Sequence, residues 1–129
     1  MSEKITIEEL AHFNGSETLH RVNKLVPHAY MTEGIYHLAE KGQCHWLMSD
    51  ASIIIFGKPK VKKAAYEAGV VVKVKNPKDG LSAVQYYDMN KNYLYSQSYE
   101  LMDFPFPEYE FWAMPNEFNG ITLLLKSEY

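Results

Sequence analysis

The chain has 129 residues, 47% hydrophobic and 22% charged, so one globular domain spanning 1–129 is the expectation and wholesale disorder is excluded. Its longest apolar runs are too short for a membrane span, and its first residues lack the basic patch and apolar stretch of a signal peptide, so neither is expected. One cysteine, Cys44, excludes an internal disulfide framework and fits a reducing, cytoplasmic setting.

The net charge of −3 is unevenly spread. Residues 1–57 carry four basic and seven acidic groups, residues 58–98 eight and three, and residues 99–129 one and six. A positive middle and a negative end either pair across a sheet or mark separate binding surfaces. Only Arg21 among thirteen basic residues is an arginine, which speaks against base-edge readout of duplex DNA.

In chain order, Thr6 and Glu9 have capping-box spacing, and Ile7, Leu10 and Ala11 follow at helical steps, so a helix is expected over 6–13, stopped by Asn14-Gly15. Residues 16–32, interrupted by Pro27, read as loop with one short extended piece. Thr32-Glu33-Gly34 opens an amphipathic helix that continues past Ser49, with Gly42 inside the pattern leaving room for a close neighbour. Ile53-Ile54-Ile55-Phe56 reads either as the buried end of that helix or as a strand. Gly57-Lys58-Pro59-Lys60 is a break, and one or two helical turns follow over 61–67. Strands are expected at 70–75, 81–88, 93–98, 109–113 and 121–125. The turn at Asn76–Gly80 joins the first two, and Tyr93, Tyr95 and Gln97 are expected on one face. The prolines of Phe104-Pro105-Phe106-Pro107 keep that segment out of a central strand. The fold class is therefore α+β: an antiparallel sheet of about five strands in the C-terminal two-thirds, with N-terminal helices packed on one face.

Four stretches carry a family likeness: Leu10 to Glu17, Gly34 to Lys41 running on to His45-Trp46-Leu47-Met48, Met102 to Pro105, and the final Leu123 to Tyr129. On these the chain resembles a family of small bacterial proteins known as domain of unknown function 6876. The resemblance departs at Lys126 and over 56–68. It carries no assigned catalytic residue. It implies a bacterial chromosome, phage or mobile-element origin.

Motifs for catalysis are sparse. Cys44 and His45 diverge if helical, and His37 lies two turns from Cys44. The histidines His12, His20, His28, His37 and His45 contain no pair at metal-ligand spacing, so neither a metal nor a cofactor is expected. Glu108 and Glu110 share a strand face, which alone is a weak sign of acid–base chemistry. No phosphate loop or nucleophile elbow occurs.

Two features favour binding. Asp103, Phe104, Phe106, Glu108, Tyr109, Glu110 and Trp112 combine rings with acids and suit docking on a basic protein surface, if those rings stand partly in water. Lys58, Lys60, Lys62, Lys63, Lys73 and Lys75, with neighbouring tyrosines, suit single-stranded nucleic acid. The expectation is a non-enzymatic interaction protein of phage or mobile-element type, inhibiting a host-defence or nucleic-acid-handling machine and binding it through the acidic aromatic segment and the outer sheet face, where Tyr86, Tyr87, Tyr93, Tyr95 and Tyr99 cluster. Three alternatives stand beside it: the nucleic-acid binder, an enzyme whose site is assembled only in space (His37, His45 and Asp103 being candidates), and self-association through an exposed edge strand or a tyrosine-rich face.

Overall fold

The computed structural model describes residues 5–12, 19–77, 80–100, 102 and 104–128. Helix α1 spans Ile7–Ala11. Its start is the expected reciprocal box: the Glu9 N–H donates to Thr6 Oγ1 at 3.2 Å, and the Thr6 N–H donates to Glu9 Oε1 at 2.9 Å. The Asn14-Gly15 stop lies outside the described residues.

Where loop with one short extended piece was expected, two strands, β1 (His20–Asn23) and β2 (Val26–Met31), form an antiparallel hairpin. Pro27 sits where the register shifts, so the strand tolerates its missing N–H. The long amphipathic run is two helices, α2 (Glu33–Lys41) and α3 (His45–Gly57). Gly42 ends the first, Gln43 takes φ 53°, and the Cys44 N–H donates to the Ala39 carbonyl at 2.9 Å. Pro105 comes close to Gly42, with its Cγ 3.1 Å from where a Cβ would stand. Ile53–Phe56 lies within α3 and is helix. Helix α4 (Pro59–Glu67) begins on Pro59, whose missing N–H is harmless in a first turn.

The strands β3 (Val70–Lys75), β4 (Ser82–Asp88), β5 (Tyr93–Tyr99), β6 (Glu108–Pro115) and β7 (Ile121–Leu124) complete one sheet in the order β1-β2-β7-β6-β3-β4-β5. The α+β class is as expected, but among the described residues the sheet has seven strands and is mixed, because β2 and β7 pair in parallel. Two of the seven come from a segment expected to hold one extended piece at most, and the parallel partners β2 and β7 are separated in the chain by α2, α3 and α4 and by β3 to β6.

Alternation sorts β3, β4 and β6. Val70, Val72, Val74, Val84, Phe111 and Ala113 are fully buried beneath Leu38, Leu47, Ile55, Val61 and Ala65 of the helices. Their neighbours Val71, Lys73, Gln85, Tyr87, Glu110 and Trp112 point to the opposite face, which the helices among the described residues leave open. Tyr93, Tyr95 and Gln97 do not share a face. A bulge between the Tyr86 and Tyr87 pairs sets Tyr93 beside outward Tyr87, while Tyr95 stands beside inward Tyr86.

The start of α2 is locked from the far end of the chain. Lys126–Glu128 forms a 3₁₀ turn, and Glu128 is buried there. Thr32 Oγ1 donates to Glu128 Oε1 at 2.5 Å, the Leu125 N–H donates to the same oxygen at 3.1 Å, and the Gly34 N–H donates to Oε2 at 3.1 Å. A carboxylate here satisfies first-turn donors and faces the positive end of the helix.

Tyr86 is fully buried, and its hydroxyl finds no hydrogen-bond partner among the described residues. Burial, and then the nearby Tyr99, Asp50 and Tyr95, push its ionisation far up. A buried hydroxyl without a partner carries a desolvation penalty and no compensating bond. Tyr86→Phe should therefore raise stability by about 1 kcal/mol, read as a higher chemical-denaturation midpoint. A lower midpoint would show that the hydroxyl is satisfied in solution.

Candidate functional site

The open sheet face groups partly exposed rings with charges of both signs. Strand registers place Leu124, Trp112, Val71, Tyr87 and Tyr93 in one row across β7, β6, β3, β4 and β5. The next row is Glu110, Lys73, Gln85 and Ser96, and the one after it is Glu108, Lys75, Ala83 and Ser98. The β-period of two produces these rows: in β6, Tyr109 and Phe111 go in while Glu110 and Trp112 go out.

Between the first two rows lies a shallow groove of about 510 Å³, lined by Val71, Lys73, Tyr87, Asp88, Met89, Lys91, Glu110, Trp112 and Lys126. The Lys73 ammonium stands 4.9 Å from the centre of the Tyr87 ring. Lys126 Nζ lies 2.9 Å from Glu110 Oε1. Asp88 is the last residue of β4. Its carboxylate accepts from the N–H groups of Asn90 and Asn92 and from the Asn92 amide, and the backbone bond to Asn92 leads in holding its ionisation low. Two of the groove's acids are thus already engaged, while Lys73 and Lys91 face outward beside the rings.

The expected partner residues divide. Glu108, Glu110 and Trp112 lie on the open face. Phe104 and Phe106 are buried at 8% and 7% exposure, so the expectation that these rings stand in water is corrected. They pack on each other and on Tyr109, with ring centres 5.5–6.4 Å apart. Pro105 and Pro107 shape the chain just before β6, and both rings join the hydrophobic core. Tyr109 is half-buried on the inner side, and burial, aided by the Glu128 charge, pushes its hydroxyl up to about 12. Asp103 lies outside the described residues.

The lysine stretch divides too. Lys60, Lys62 and Lys63 are exposed on α4, and Lys58 at the α3–α4 junction reaches over Tyr95 at 4.9 Å, all on the helical side. Lys73 and Lys75 alternate with the inward valines and face the other way. One continuous basic stripe is therefore replaced by two groups on opposite faces. On the open face Lys73 stands beside Glu110 and Lys75 beside Glu108, so part of the positive middle does meet the negative end across a sheet.

Three histidines pair separately with carboxylates around α2. The ring Nε2 donates in each case: His20 to Glu33 at 2.9 Å, His37 to Glu9 at 2.6 Å and His45 to Glu40 at 2.7 Å. His20 also stacks on Tyr36 with ring centres 4.1 Å apart. Cys44 is buried in the core, with its thiol 3.5 Å from the Leu38 carbonyl. Among the described residues, no three His, Cys, Asp or Glu side chains come together as a metal-binding set. No helix among them is long and apolar enough to cross a membrane.

Glu9 also receives Lys41 Nζ, at 3.0 and 3.2 Å. The His37 bond, then Lys41 and the Thr6 N–H, hold its carboxyl at about 2 instead of the ordinary 4.5. Its contribution to stability is complete above pH 4.5 and is lost as the pH falls through about 2. Glu9→Gln should flatten the acid limb of a melting-temperature profile in that window while sparing the slope at neutral pH. An unchanged acid limb would remove Glu9 from the account.

A model of the family of unknown function DUF6876 matches residues 4–129. The chain belongs to the DUF6876 family. Neither a curated protein nor a solved structure matches it. The DUF6876 match covers every strand and helix around the groove, so the open face is part of the family domain. Sequence reasoning missed Val71, Lys91 and Lys126 on that face. Their signal is a register, which appears only once β3 is known to lie between β4 and β6.

Proposed function

We propose that this DUF6876 domain is a binding protein, and that the open sheet face is its contact surface for a protein partner. The observation that carries the reading is the row of Trp112, Val71, Tyr87 and Tyr93 across four adjacent strands, with Lys73, Lys91 and Lys126 beside it and Glu108 and Glu110 on the same face. Tyr93 is 59% exposed. Large rings on a rigid sheet give contact area at little ordering cost, and interspersed charges of both signs set the orientation of a protein better than they attract a uniformly charged polymer. The partner class we favour is a nucleic-acid-handling or host-defence protein of a bacterial cell, inhibited by occupation of its working surface.

The test is capture of binding proteins from bacterial lysate on immobilised wild-type chain, followed by titration of the captured protein against Trp112→Ala and Tyr87→Ala. Each substitution should weaken binding by at least about tenfold, as anchor truncations do. Full binding by both folded variants would reject the face as the contact surface.

One observation favours a second reading. Lys73 over Tyr87, with an exposed Tyr93 nearby, is an arrangement on which unpaired bases stack. Single-stranded binding predicts an affinity that falls steeply with salt. A mobility-shift titration at two salt concentrations decides between the readings, since a protein partner leaves the oligonucleotide unshifted.

A further inference from the structure

The two edges of the sheet are built differently. At one edge, β1 has four residues, includes Arg21, is followed by Lys24 and has a register irregularity. Short, charged, irregular edges resist pairing with another chain. At the other edge, β5 runs Tyr-Leu-Tyr-Ser-Gln-Ser-Tyr over seven residues without charge, proline or glycine, and among the described residues it pairs with β4 alone. Its bulge lies toward Tyr93, and Tyr95 to Tyr99 keep a regular register with β4. The outer backbone groups of β5 therefore form a template about 24 Å long, at roughly 3.4 Å per residue.

From this edge we infer that β5 pairs with β5 of a second copy of the chain, antiparallel, about a two-fold axis normal to the sheet near Ser96. Self-pairing suits this strand for two reasons. With no charge along it, no like charges meet across the axis. Its two ends are complementary: Lys91 lies just before β5 and Glu100 just after it, both exposed. Antiparallel pairing brings Lys91 of each copy beside Glu100 of the other, so the attraction occurs twice. The axis keeps both helical layers on one side and both aromatic rows on the other. The two groove faces become one surface, with Tyr93 of each copy near its centre. This inference does not depend on what that surface binds.

Sedimentation velocity on the full chain over a concentration series tests it. The expected result is a species of twice the monomer mass that dissociates on dilution. Ser96→Lys sets two ammonium groups opposite each other at the axis and should leave only monomer. Ser96 Oγ lies 2.9 Å from the Tyr93 hydroxyl, so a second set of variants guards against local misfolding. Lys91→Glu and Glu100→Lys should each weaken the dimer by roughly tenfold, and the two combined should restore it. Monomer at every concentration overturns the inference. So does a dimer that Ser96→Lys and both charge reversals leave unchanged, because that dimer would form elsewhere.

Discussion

Glu128→Ala should destabilise the fold by about 3 kcal/mol, since three buried donors lose one charged acceptor together. These are the Thr32 hydroxyl and the N–H groups of Gly34 and Leu125. In melting temperature the loss should appear as a fall of roughly 10 °C. Glu128→Gln should fall between wild type and alanine. Its amide oxygen can serve the two donors now on Oε1, but its NH₂ then meets the Gly34 N–H. Gly34→Ala attacks the same contact from the other side: a Cβ there would stand 2.4 Å from Glu128 Oε1 and 2.6 Å from Leu125 Cδ1. The two alanine substitutions should be clearly less than additive in a double-mutant cycle, because removing the carboxylate makes room for the methyl. Strict additivity would mean that the carboxylate does not hold the start of α2.

Gly120→Ala should be nearly as damaging, at roughly 2–3 kcal/mol. A Cβ at Gly120 would lie 2.4 Å from the His28 carbonyl oxygen, which is backbone of the neighbouring strand. A flexible side-chain tip could swing away from such a contact; a strand can only be displaced. The displaced unit should be the β1–β2 hairpin, which among the described residues joins the sheet only through the parallel pairing of Ala29, Tyr30 and Met31 with Ile121, Thr122 and Leu123. Hydrogen exchange gives the diagnostic reading. Amides of β2 should lose protection first, while β3 and β4 stay near wild type. Uniform loss across all strands would assign the damage to the global fold.

Local chemistry was legible in the sequence. The Thr6–Glu9 box is a four-residue signal and forms as read. The strands β3 to β7 lie within two residues of their expected limits because alternation and turn residues act over short spans. Features set by distant contacts were not legible. Pro27 masked β2, whose place in the sheet depends on β7. Gly42 interrupts an otherwise continuous helical pattern, and periodicity cannot separate a tolerated glycine from a helix end. The candidate site divides in the same way. Trp112, Glu108 and Glu110 could be picked out by residue type, but their company on the open face could not. Counting lysines along the chain merged α4 with β3, although a two-sided sheet sends their side chains apart. Phe104 and Phe106 looked like anchors because ring content carries no information about which way a proline-rich segment turns.

The position of β7 has a consequence for how the molecule assembles. This four-residue strand is the bridge between the β1–β2 hairpin and the block formed by β6, β3, β4 and β5. Until it arrives, the early hairpin and the later meander are separate rafts of structure, each with a raw edge. Joining them means closing a loop that spans most of the polypeptide, a late and slow event compared with hairpin formation. A ribosome-bound chain that has not yet released this strand would therefore hold two half-built pieces for a chaperone to shield.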